Sequence, residues 1–110
     1  MAGASEDLSP MRAAALLRDG AQGVDVREQY ERDAGHIADT AHIELDQLTA
    51  AVDTLERERP IVFYCRSGSR SALAAQAFAA AGFEAHNLDG GLKAWVKDGL
   101  PLEPADGHVA

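Results

Sequence analysis

Ile61-Val62-Phe63-Tyr64-Cys65-Arg66-Ser67-Gly68-Ser69-Arg70-Ser71-Ala72 is the stretch on which the fold of this chain turns. Pro60 ends whatever precedes it, and the next four residues form a continuous β-prone apolar run, the pattern of a strand buried on both faces. Cys65 to Arg70 is a polar loop containing Gly68. Ser71 to Ala81 reads as an alanine-rich helix that stops at Gly82, its small side chains suited to lying close against a sheet.

The same pattern recurs on either side. Ser9-Pro10 followed by Met11 to Arg18 reads as a capped helix with proline in its first turn, ended by Gly20. Gly23-Val24-Asp25-Val26 is a short buried strand, and its polar exit, Arg27 to Glu31, starts a loop. Gly35-His36-Ile37 and Ala41-His42-Ile43 are brief extended pieces in a longer connection. Leu45, Leu48, Val52 and Leu55 recur at three- and four-residue steps, which predicts an amphipathic helix from Leu45 to about Glu58. Glu84 to Leu88 is another strand, Gly90-Gly91 a tight turn, and Leu92, Trp95 and Val96 the inner face of a last helix closed by Gly99. Strands alternating with helices predict an α/β fold with a mostly parallel sheet covered on both faces. One domain over residues 1–110 is expected, with its core at about 8–101 and a frayed tail at 102–110.

Composition narrows the function. Ten Lys and Arg against eighteen Asp and Glu leave a net charge of −8, which repels polyphosphate and argues against a nucleic-acid partner. The one cysteine excludes an internal disulfide and any multi-cysteine metal site, and the four histidines show no metal-ligand spacing. No apolar run approaches the ~20 residues of a membrane helix. The opening Met1 to Asp7 has no secretory-signal pattern, so the cytoplasm is the expected compartment.

In an open parallel sheet, ligands bind beyond the carboxyl ends of the strands, where Cys65 stands, and a helix N-terminus offers free amides to an anion there. A thiolate is such an anion. Lowering a thiol from ~8.5 to below 7 needs roughly 2 kcal/mol, whereas a helix terminus gives about 0.3–1 kcal/mol. Arg66 and Arg70 are expected to supply the remainder, since a guanidinium ~5 Å away is worth ~3 kcal/mol at an effective dielectric near 20. Cys65 is therefore the candidate nucleophile, with Arg66, Ser67, Gly68, Ser69 and Arg70 as its anion-binding loop. Ser67, Ser69 and Ser71 also suit a turn and a helix cap, the reading preferred for them.

Val24-Asp25-Val26-Arg27-Glu28, Gly35-His36-Ile37, Cys65 to Ser71, Ala80-Ala81-Gly82-Phe83, Asn87-Leu88-Asp89-Gly90-Gly91, Trp95 and Gly99-Leu100-Pro101 stand in the order and spacing of one family. From about Leu8 to Pro101 the chain resembles the rhodanese family. The resemblance implies a single rhodanese-like domain with a five-stranded parallel sheet, and Cys65 as a sulfur-carrying nucleophile cradled by the amides of residues 66 to 70. It also makes Asp25 and Arg27, with Ser71, a supporting shell. The expected reaction moves a sulfane sulfur from thiosulfate or a persulfide donor to a thiol, cyanide or protein-thiol acceptor through a Cys65 persulfide, without a cofactor. A cysteine-loop phosphatase or arsenate reductase is the rival enzyme, but those loops place arginine six positions after the cysteine, and here that position is Ser71. A persulfide carrier or interaction module serving a protein partner is the alternative of a different class.

Overall fold

The computed structural model describes residues 4–110. The elements, in order, are β1 (Glu6–Leu8), α1 (Pro10–Arg18), β2 (Gln22–Asp25), α2 (Gln29–Ala34), β3 (Ala41–His42), α3 (Leu48–Ala51), β4 (Ile61–Tyr64), α4 (Ser69–Ala80), β5 (Ala85–Leu88) and α5 (Gly91–Lys97). The strands form one five-stranded parallel sheet in the order β1-β5-β4-β2-β3, with β4 at its centre.

Alternate residues of β4 supply two separate cores, as the period of a strand requires. Ile61 and Phe63 lie in the cluster covered by α3 and α4, which brings in Leu48, Ala74, Ala75, Phe78 and Ala79. Val62 and Tyr64 lie in the opposite cluster, with Ala13 of α1 and Leu92 and Trp95 of α5. Helices thus cover both faces, and every residue of β4 is buried. The alanines of α4 let Phe78 come down between Phe63 and Phe83, with ring centroids 5.0 Å apart in both pairs. Such contacts are worth ~0.5–1.5 kcal/mol each beyond the area they bury.

The structure departs from the sequence expectations in four places. Arg27 to Glu31 is not the start of a loop: α2 begins at Gln29, where the Glu28 amide donates to the Glu31 carboxylate at 3.1 Å. The helix expected from Leu45 to Glu58 is one α-turn, α3, between 3₁₀ turns at Leu45–Gln47 and Val52–Thr54. Steps of three, four and three residues bring Leu45, Leu48, Val52 and Leu55 to the same core through successive 3₁₀ and α turns, without a continuous α-helix. β1, two of whose three residues are exposed, has no apolar run to announce it. Residues 102–110 are not frayed. His36 and Glu103 exchange backbone hydrogen bonds at 3.0 and 2.7 Å, His108 donates to Ala34, and Leu102 and Val109 pack on the core. No helix among the described residues is long and apolar enough to cross a membrane.

Candidate active site

Cys65 is the first residue beyond β4, at the carboxyl end of the sheet, and is fully buried. The loop it begins is held by the next element along the chain. The carbonyls of Cys65 and Arg66 accept hydrogen bonds from the amides of Leu92 and Lys93, at 2.9 and 3.1 Å, at the start of α5. A trans peptide points its N–H away from its C=O, so fixing these carbonyls toward α5 turns the following amides away from it. Gly91 makes this approach possible: a Cβ there would lie 2.5 Å from the Arg66 carbonyl oxygen, and its φ of +62° is one that glycine adopts freely. Gly90-Gly91 is thus the seat of the loop as well as a turn. Gly68, at φ +101°, swings the chain into α4.

The sulfur collects neutral donors. The Gly68 amide donates to Sγ at 3.1 Å and the Ser71 hydroxyl lies 3.3 Å from it. Burial pushes the Cys65 thiol up, but the Ser71 hydroxyl and the amides of Ser71, Gly68 and Ser67 outweigh it, so the thiol ionises below its ordinary range. A helix N-terminus and a few directed N–H groups are enough to do this.

Neither arginine donates a hydrogen bond to the sulfur, although the charge of Arg70 is within reach of Cys65. Arg70 forks onto Glu31 of α2, with N···O distances of 2.8 and 2.9 Å. That pair holds the Glu31 carboxyl below the usual carboxylate range and raises Arg70. Arg66 is exposed and donates through Nε to the backbone oxygen of Ala110 at 3.0 Å. Ser67 and Ser69 are exposed at the loop's outer surface, whereas Ser71, expected as a cap and as part of the supporting shell, is fully buried against the sulfur.

Asp25 and Arg27 close on each other. Arg27 donates to both Asp25 carboxylate oxygens at 2.8 and 2.7 Å and to the Gly35 carbonyl at 2.8 Å, and neither residue is hydrogen-bonded to Cys65. Three participants were not assigned to the site from sequence. Glu31 neutralises Arg70, Asn87 contacts Ser71 at 2.6 Å, and Gly90-Gly91 seats the loop. Asn87 carried a signal as a polar residue in a buried strand, and Gly90-Gly91 as a paired glycine after it; Glu31 carried none. Beside the loop is a cleft of about 480 Å³ lined by Val26, Glu28, Glu44, Leu45, Asp46 and Arg70.

Known proteins resemble this chain in both sequence and fold. The chain is 31% identical over 103 residues to a protein of Pseudomonas aeruginosa named thiosulfate sulfurtransferase GlpE, covering 93% of each. It is 35% identical over 78 residues to the putative sulfurtransferase YtwF of Bacillus subtilis, covering 71% of this chain and 76% of that one. The crystal structure of a rhodanese-related protein from Thermoplasma volcanium superposes with a TM-score of 0.83 at 26% identity, over 88% of this chain and 96% of the other. The family model for the rhodanese-like domain matches residues 9–98, nearly the whole of the sheet and its helices, and this chain belongs to that family.

Proposed function

We propose that the protein is a cytoplasmic sulfurtransferase that carries a sulfane sulfur on Cys65. The observation that supports this best is a buried thiol held by amides and a hydroxyl, which favours an anion without locking it to a counter-charge. Cys65 thiolate attacks the outer sulfur of thiosulfate, the S–S bond of the donor breaks, and sulfite leaves with the electron pair. The Cys65 persulfide anion rests against the loop amides. A thiolate or cyanide then attacks the outer sulfur, and the pair returns to Cys65. Arg66 and the donors of Arg70 not turned to Glu31 meet the donor's oxygens at the loop's outer face.

The cleft favours a second reading of the donor. Glu28, Glu44 and Asp46 line it, while the charge of Arg70 is already matched by Glu31. This rim disfavours doubly negative thiosulfate relative to a protein persulfide, and so supports a carrier that serves a protein thiol.

Intact-mass measurement tests both readings. Donor treatment is expected to add ~32 Da, one sulfur, to the protein and none to Cys65→Ser. A persulfide donor is expected to load Cys65 at lower concentration than thiosulfate. An adduct that persists in Cys65→Ser would sink the mechanism, and efficient aryl-phosphate hydrolysis would favour the phosphatase instead.

A further inference from the structure

Behind the Cys65 loop, on β5, Asn87 is almost fully buried. Its Nδ2 donates to the Gly68 carbonyl at 3.2 Å and to the Asp7 carboxylate at 3.1 Å. Both partners only accept, so the amide has one orientation: nitrogen toward them, Oδ1 toward Ser71. Ser71 Oγ lies 2.6 Å from that oxygen and 3.3 Å from Cys65 Sγ. A hydroxyl has a single proton to give, and a carboxamide oxygen and a thiolate both only accept. Asn87 and the ionised sulfur therefore compete for the proton of Ser71.

We propose that Asn87 is a positioning residue that restrains the ionisation of Cys65 by drawing away the Ser71 proton. In the thiol state the chain runs from S–H to Ser71 Oγ and from Ser71 O–H to Asn87 Oδ1, with each acceptor served. When Cys65 gives its proton to water, the hydroxyl turns to the sulfur and Asn87 Oδ1 loses its donor. A buried acceptor left without a partner is costly, so Asn87 opposes the turn. In a Cys65 persulfide the charge sits on the outer sulfur, the inner sulfur needs no donor, and the Ser71 proton returns to Asn87. The pair thus favours the loaded state over the bare thiolate. That last consequence rests on the sulfur-carrier reading, whereas the effect on ionisation does not.

The charged and titratable groups around this unit are matched or distant from the exchange. Arg70 of α4 is paired with Glu31 of α2, and Asp25 with Arg27 beyond β2. Asp7 of β1 holds Asn87 from behind, Arg66 and Lys93 of α5 are exposed, and burial keeps the Tyr64 hydroxyl protonated, pushed up to about 12.

Iodoacetamide alkylation against pH reads the ionisation directly in the full chain, with no sulfur donor present. Asn87→Leu and Asn87→Ala remove the competing acceptor, and the alkylation midpoint is expected to fall by roughly one pH unit, about a tenfold change in thiolate at a fixed pH. Ser71→Ala is expected to raise the midpoint, and adding Asn87→Leu to it should then change nothing further. If Asn87 only braced the loop, losing its bond to Gly68 would slacken the amide cradle and raise the midpoint instead. A midpoint that rises or stays put in the folded Asn87 variants overturns the proposal, as does an equal fall in the Ser71→Ala background. A second measurement needs no variant: the NMR signal of the Asn87 side-chain carbonyl carbon should titrate with the Cys65 midpoint. A signal that ignores the titration refutes the exchange.

Discussion

Two adjacent strands end side by side at the carboxyl edge of the sheet, and each presents a buried acid, one as its last residue and one just beyond it, held in opposite ways. At the end of β2, Asp25 is closed on a full charge: Arg27 grips both its oxygens, the Arg27 amide adds a third bond at 3.0 Å, and both side chains are completely buried. Burial works against the Arg27 charge, but Asp25 overcomes it, and the guanidinium is raised above its ordinary value. Beyond β4, Cys65 meets amides and one hydroxyl. An acid locked to a counter-charge has its lone pairs spent and serves as a strut between β2 and Gly35 at the end of α2. One held by neutral donors ionises at modest cost and keeps its lone pairs for an incoming sulfur. Burial is common to both corners; the kind of partner separates a brace from a nucleophile.

The comparison breaks most visibly at Arg27. Arg27→Met strips Asp25 of its forked partner and leaves only Arg32, 3.5 Å away, to face the buried carboxylate; urea unfolding should show a loss of about 3 kcal/mol, a large share of the stability of a domain this size. Cys65→Ser should cost far less stability and remove all sulfur loading. If Arg27→Met proves nearly neutral in stability, or by itself shifts the alkylation midpoint of the folded protein, the two corners are not separate devices.

Gly91→Ala attacks the other corner. The added methyl meets the Arg66 carbonyl and the residue must hold a positive φ, so a loss of about 1–3 kcal/mol is expected. Displacing that carbonyl also misaims the amides, and the alkylation midpoint should rise together with the loss of stability. Destabilisation with an unchanged midpoint would show that α5 does not set the cradle.

The smallest effect sharpens the link between the corners, because Glu31 of α2 reaches across to Arg70 of α4. The Glu31 carboxyl is depressed in the folded protein, so the pair's stability is fully present above the unfolded value of ~4.3 and is lost as pH falls through the folded value. Glu31→Gln should therefore cost up to ~1 kcal/mol at neutral pH, discounted because the Arg70 side chain is 35% exposed, and should flatten unfolding below pH ~4. It also frees Arg70, so thiosulfate should load Cys65 more readily. Unfolding profiles of wild type and variant that run parallel through the acid range would remove Glu31 from this role.

The sequence reached the parts of the site that are local. β4, the loop and α4 are legible because an apolar run, a glycine and an alanine-rich helix succeed one another within about twenty residues. The capped start of α1 is legible for the same reason, and there Ser9 accepts from the Arg12 amide as expected. Arg70 was legible as a cation near Cys65 but its partner was not, since Glu31 lies 39 positions away and nothing in local spacing couples them. The tail was misread because its Pro, Gly and Asp content resembles a free end. Leu102 and Val109 find their apolar neighbours only once Gly35 and α2 are in place.

By itself, then, the order of residues determined the alternation of strands and helices, the position of the one thiol at the carboxyl end of the central strand, and the family it belongs to. These follow from periodicity and from short-range turn chemistry, which act between neighbours in the chain. Only the tertiary structure decided what the thiol would meet. It set α5 against the loop's carbonyls, turned Arg70 to Glu31, and brought Ser71 between Cys65 and Asn87, 16 residues further along the chain. A hydrogen bond depends on distance and direction to a few tenths of an ångström, and those are properties of the packed sheet and helices, not of any segment alone.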